Sequence, residues 1–130
     1  MTSPHTPAPA PLSAELPFQS DAPSIARSYL RRFAAGMLPT PLDDAVLMVS
    51  ELVTNALVHG RPEITLRLAF EHDRLTVAVG DSGEGRLTCA APPQNQPSGR
   101  GLVVVNALAT RWGVSRTNDQ VGKQVWFELA

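Results

Sequence analysis

The sequence predicts an α+β domain: a two-layer sandwich of one mostly antiparallel sheet with helices on one face. Three observations predict it. Apolar residues recur at helical spacing in two blocks before residue 60. The pattern then switches to polar/apolar alternation through residues 63–80, and a second alternating pair closes the chain. Helices and antiparallel strands fall in blocks rather than in strand–helix–strand units, the arrangement of a sheet covered on one face.

The elements follow in order. Residues 1–14 are rich in Pro, Ala and Ser and hold few large apolar groups, so they read as a disordered or polyproline-like tail. Residues 15–19 read as a short edge strand. Ser20 or Asp21 caps a helix over 23–36, with Pro23 in its first turn, Ile25, Tyr29, Leu30 and Phe33 at helical spacing, and Gly36 as its stop. A second helix starts at Thr40-Pro41, with Asp43 and Asp44 at its positive end, and runs to His59 before Gly60. Residues 63–70 and 74–79 form a hairpin around Glu71-His72-Asp73. Residues 86–98 hold three prolines, an Asn and two Gln without periodicity, a loop long enough to be functional or disordered. A third helix spans roughly 101–109, and residues 112–117 and 124–129 pair as a closing hairpin.

Composition narrows the function. A chain of 130 residues, 43% of them hydrophobic, makes one domain with a real core. A net charge of −1 with scattered Lys and Arg leaves no electrostatic footprint for nucleic acid or an anionic membrane. Cys89, the single cysteine, cannot form an internal disulfide. No apolar run suffices for a membrane span, and the first residues lack the basic-then-apolar order of a signal peptide, so the expectation is a cytoplasmic protein.

Three stretches carry chemistry. In Glu51-Leu-Val-Thr-Asn55-Ala-Leu-Val-His59-Gly60, the polar groups Glu51, Asn55 and His59 lie four apart, in one row on one helix face. A carboxylate and an amide one turn apart can serve a hydrated Mg²⁺ and an attacking hydroxyl. A solvated helix face is the competing reading, but Asn55 lies among Val53, Ala56 and Leu57, and a buried amide needs partners. His59 suits the negative end of the helix dipole. In Asp81-Ser-Gly83-Glu-Gly85 a carboxylate at a strand end can accept a hydrogen bond from an adenine amino group, with glycines letting backbone pass close; an ordinary turn is the alternative. In Gly99-Arg100-Gly101-Leu102 a glycine-rich helix start offers free N–H groups to an anion, and Arg100 adds charge. The chain has neither a Walker nor a dinucleotide fingerprint, no zinc pattern and no Gly-x-Ser-x-Gly elbow.

Together these stretches resemble the GHKL (Bergerat-fold) ATP-binding family, and within it the anti-sigma-factor serine/threonine kinases and their actinobacterial relatives. Residues 51–60 match the N-box, 81–85 the first glycine box, 99–105 with 108–114 the second, and 122–129 the closing strand. The resemblance covers residues 15–130, which it identifies as a histidine-kinase-like ATPase domain. It implies that Asn55 ligates Mg²⁺, that Glu51 is general base toward a substrate serine, and that Asp81 binds the adenine amino group in a pocket shaped by Gly83 and Gly85. It also implies that residues 86–98 form the ATP lid and that Gly99, Arg100, Gly101 and Leu102 hold phosphates. Family members often carry Thr where this chain has Gln124, and that hydroxyl helps the Asp hold adenine. An amide there either substitutes for it or weakens binding.

The resemblance therefore implies ATP and Mg²⁺ as cofactors and a regulatory protein kinase that phosphorylates an antagonist protein. Its partners would be a sigma factor or an anti-sigma antagonist. The competing function is a nucleotide-gated protein-binding module without useful catalysis. A detached histidine-kinase catalytic domain fits less well. Relatives of this kind are often homodimers, for which the first strand and helix offer an interface.

Overall fold

A computed structural model describes residues 10–36, 42–83, 100–116 and 122–129. They form five strands and three helices: β1 (Leu12–Leu16), α1 (Ala22–Phe33), α2 (Leu42–His59), β2 (Ile64–Glu71), β3 (Arg74–Asp81), α3 (Arg100–Leu108), β4 (Arg111–Arg116) and β5 (Lys123–Leu129). The strands make one sheet in the order β1-β2-β3-β5-β4, and every neighbouring pair is antiparallel. The open α+β architecture is the expected one.

Alternation decides which face is covered. In β2 the residues Ile64, Leu66 and Leu68 are buried, in β3 Leu75, Val77 and Val79, and in β5 Val125, Phe127 and Leu129. Cross-strand register stacks them in rows such as Leu66–Val79–Val125 and Leu68–Val77–Phe127. Helices α1 and α2 lie over this face with Ala26, Leu30, Met48, Val49, Leu52 and Val53 fully or almost fully buried. Phe33, at the end of α1, stacks on Phe70 of β2 with ring centroids 5.5 Å apart. The two helices are also tied by the Arg27 guanidinium, which donates to Ser50 Oγ at 3.0 Å, while Ser50 donates to the Val46 carbonyl at 2.9 Å. Val105 of α3 is completely buried in the same core.

The first strand departs from expectation. It runs over Leu12–Leu16, not 15–19, so the expected tail boundary at residue 14 falls inside it. Leu12, Ala14 and Leu16 alternate toward the core, and Leu16 pairs with Ile64. Pro17 then ends the strand, because it has no N–H to donate to a ladder. The rest of the expected tail, residues 1–9, lies outside the described residues, as do Thr40 and Pro41.

Helix α1 starts after Asp21, but no Asp21 side-chain cap is made; Pro23 in the first turn and the Ile25 N–H on the Asp21 carbonyl (3.0 Å) begin the helix. It ends three residues before the expected 36, where the Ala34 N–H bonds the Leu30 carbonyl at 2.9 Å, and Gly36 takes the left-handed turn at φ +73°. The remaining elements lie within about two residues of their expected limits, an ordinary margin for helix and strand ends.

Candidate functional site

The site is built where the C-terminal end of α2 meets the end of β3. Helix α2 buries Val46, Val49, Leu52, Val53 and Ala56. Glu51 and Asn55 flank this buried stripe and are partly buried, whereas Thr54, Val58 and His59 are exposed. His59 sits in the last turn, as the dipole argument expects. Among the described residues the Asn55 side-chain nitrogen is buried without a hydrogen-bond partner. The two ends of an amide exchange by a simple flip, so among the described residues one polar end of Asn55 has no partner.

Asp81 closes β3 on the covered face, in phase with Val77 and Val79, and is 9% exposed. Its Oδ1 accepts the Gly83 N–H at 2.7 Å and the Arg61 N–H at 3.4 Å. The ammonium of Lys123 lies 3.1 Å from Oδ2 and 3.4 Å from Oδ1. Two further contacts close the turn: the Ser82 N–H donates to the Arg61 carbonyl at 3.2 Å, and the Ser82 hydroxyl donates to the Pro62 carbonyl.

Glycines make this junction fit. A Cβ on Gly60 would sit 2.5 Å from Asp81 Cγ and 2.7 Å from the Ala56 carbonyl oxygen, and a Cβ on Gly83 would sit 2.9 Å from Asp81 Oδ1. Gly60 thus does more than stop α2. It lets the helix end, one turn after Asn55, lie directly against the carboxylate of Asp81.

The structure brings Asn55, Asp81 and Gly83 to one end of the sheet, on the helical side. The glycine-rich segment does open α3, which starts at Arg100, with Gly101 and Leu102 in its first turn. Gly85, Gly99 and the expected lid, residues 86–98, lie outside the described residues. Gln124 requires a correction. Strand register pairs it with Gly80 and sets Lys123 opposite Asp81. Gln124 falls outside the buried set of β5, and with Thr65, Arg67 and Ser115 it lines a hollow of about 340 Å³ that Asp81 and Lys123 also border. The residue beside the carboxylate is Lys123, which the sequence reading passed over. Its signal is the alternation of β5: Lys123, Val125, Phe127 and Leu129 are buried and Gln124, Trp126 and Glu128 are not, so Lys123 belongs to the core-facing set.

The donor set suits a magnesium nucleotide. No cluster of three His, Cys, Asp or Glu that could hold a metal occurs among the described residues. Mg²⁺ commonly takes only one or two protein oxygens and completes its shell with water and substrate phosphates. An amide oxygen from Asn55 meets that requirement when the side chain is turned so that the oxygen takes the unpaired position that the nitrogen holds here. No helix among the described residues is long and apolar enough to cross a membrane.

Residues 16–129 match the histidine kinase-like ATPase domain, and the chain belongs to that family, GHKL. The anti-sigma F factor of Clostridium acetobutylicum is 38% identical to it over 73 residues, 52% of this chain and 51% of that protein. The chain thus aligns with about half the length of this curated relative. Among solved structures, the RsbU and RsbW domains of a Mycobacterium tuberculosis protein superimpose with a TM-score of 0.67 at 21% identity, over 93% of this chain and 32% of that one. At that identity the likeness speaks for the fold. The histidine kinase domain of a blue-light activated histidine kinase from Erythrobacter litoralis superimposes with a TM-score of 0.54 at 25% identity, over 80% of this chain and 60% of that one. The chain is accordingly an ATP-binding domain of the histidine kinase-like ATPase family.

Proposed function

We propose that this protein is a Mg²⁺-ATP-dependent serine/threonine kinase that phosphorylates an antagonist protein and also binds a regulatory partner such as a sigma factor. The observation that carries the nucleotide reading is the junction of α2 with Asp81. A buried carboxylate and a buried amide nitrogen without a partner among the described residues stand at adjoining ends of a helix and a strand, with Gly60 and Gly83 leaving the space that the carboxylate occupies.

Each residue has one task. Asp81, held by the Gly83 and Arg61 N–H groups, accepts the adenine amino group. Gly83 and Gly85 keep the path to it clear. Asn55 holds Mg²⁺, which when bound neutralises phosphate charge. Gly99, Arg100, Gly101 and Leu102 present main-chain N–H groups and a guanidinium to the phosphates at the positive end of α3. Glu51, one turn before Asn55 and partly exposed, takes the proton from the attacking serine hydroxyl. Catalysis of this kind is mostly positioning and charge neutralisation. The domain proper occupies residues 12–130, and the acting protein is cytoplasmic.

The test is phosphoryl transfer from labelled ATP to a cognate antagonist, comparing wild type with Glu51→Ala. The reading predicts transfer by wild type, a loss of about 10²-fold or more in the variant, and unchanged ATP affinity, as removal of a general base affects the chemical step and not binding. Equal transfer by both proteins would rule out Glu51 as the base.

A further inference from the structure

We propose that Lys123 reads the nucleotide base: with Asp81 it sets a donor beside an acceptor, and the two match the ring N1 and the 6-amino group of adenine. The inference rests on the reading that Asp81 faces the purine, and it adds the residue that distinguishes one purine from another.

The ion pair is withdrawn from water, with side-chain exposures of 6% for Lys123 and 4% for Asp81. Its hydrogen bonds are unevenly shared. Oδ1 of Asp81 receives the Gly83 N–H, the Arg61 N–H and a contact from the ammonium, whereas Oδ2 receives the ammonium alone. An ammonium carries three N–H donors, and a carboxylate oxygen accepts more than one bond. Among the described residues Asp81 is the sole partner of Lys123. Among the described residues Oδ2 therefore keeps a lone pair, and the ammonium beside it a proton, without a partner. Buried polar capacity of this kind is costly unless something fills it.

An adjacent acceptor and donor fit an edge that presents a donor and an acceptor in the complementary order. Adenine does so, with its 6-amino group toward Asp81 and N1 toward Lys123. Guanine and hypoxanthine carry an oxygen at position 6 and an N–H at position 1. In the same pose they would set a carbonyl against the carboxylate and an N–H against the ammonium. The pair thus favours adenine and repels the 6-oxopurines, discriminating both ways.

The test is calorimetric binding of ATP, 1-deaza-ATP (N1 replaced by C–H) and ITP, each with Mg²⁺, to wild type and Lys123→Met. For wild type, 1-deaza-ATP should bind about tenfold or more weakly than ATP, the scale of one hydrogen bond from a charged donor. ITP should bind more weakly still. In Lys123→Met the ATP and 1-deaza-ATP affinities should converge, since the ligand atom and the side chain are two ends of one interaction. Wild type that binds ATP and 1-deaza-ATP alike would overturn the assignment of Lys123 and leave the nucleotide site standing. So would a Lys123→Met protein that keeps the full 1-deaza penalty. Wild type that binds no ATP would overturn the nucleotide reading and this one with it. The wild-type comparison decides whether or not Lys123→Met folds.

Discussion

Replacing Gly60 with alanine probes the junction on which the site depends. The Gly60 N–H bonds the Ala56 carbonyl at 2.9 Å, closing the last turn of α2. An added methyl would lie 2.5 Å from Asp81 Cγ, 2.7 Å from its Oδ1 and 2.7 Å from the Ala56 oxygen. These are far inside van der Waals contact, and two of the three belong to a side chain already held by the Gly83 N–H and by Lys123. The methyl has to displace either the helix end or the carboxylate. Overpacking of this kind costs about 1–3 kcal/mol. For a domain of this size the expected fall in melting temperature is roughly 3–10 °C. The more telling effect is on binding: moving Asp81 takes the acceptor away from the base, so ATP affinity should fall about tenfold or more, the scale of one charge-assisted hydrogen bond. Thermal unfolding and ATP titration measure the two effects. Gly36→Ala is the control, because its left-handed φ of +73° costs stability but nothing lies within 4 Å of the added methyl. It should lower the melting temperature and leave ATP binding alone. A Gly60→Ala protein that melts and binds ATP like wild type would refute the steric argument.

Two other substitutions test the packing and the ion pair. Asp81→Asn keeps an acceptor for the Gly83 N–H but strips Lys123 of its counter-charge, and the stranded buried ammonium should cost about 3–5 kcal/mol in urea unfolding. Adding Lys123→Met should recover part of that loss, whereas strictly additive losses would speak against coupling. Phe33→Ala removes a ring stacked on Phe70 at the edge of the core and should destabilise by about 3 kcal/mol or more with no change in ATP affinity. A loss under about 1 kcal/mol would show that α1 is not fastened to the sheet through this pair.

Much of the fold was legible because burial on one face imposes a period. The alternation over residues 63–79 and the helical spacing before residue 60 survive as β2, β3, α1 and α2. What escaped has identifiable causes. β1 was displaced because Pro11 and the Pro/Ala-rich run before it mask Leu12, Ala14 and Leu16, whose strand character comes from pairing with β2 rather than from local propensity. At the site, the polar row on α2 and the acid at the end of β3 could be read from spacing. The partner of that acid could not, because it sits 42 positions away and depends on the register of β5 against β3. A one-residue difference moves a strand side chain to the opposite face, and that separates Gln124 from Lys123. Gly60 was legible as a helix stop but not as the space Asp81 occupies, since such a clearance exists only once the two elements meet.

The most direct test of the central claim is calorimetric titration of ATP with and without Mg²⁺ into wild type and Asn55→Ala. The account predicts that wild type binds ATP tightly only with Mg²⁺, and that Asn55→Ala loses this Mg²⁺-dependent gain while remaining folded. ATP affinity that ignores both Mg²⁺ and the substitution would contradict it, as would wild type that binds no ATP.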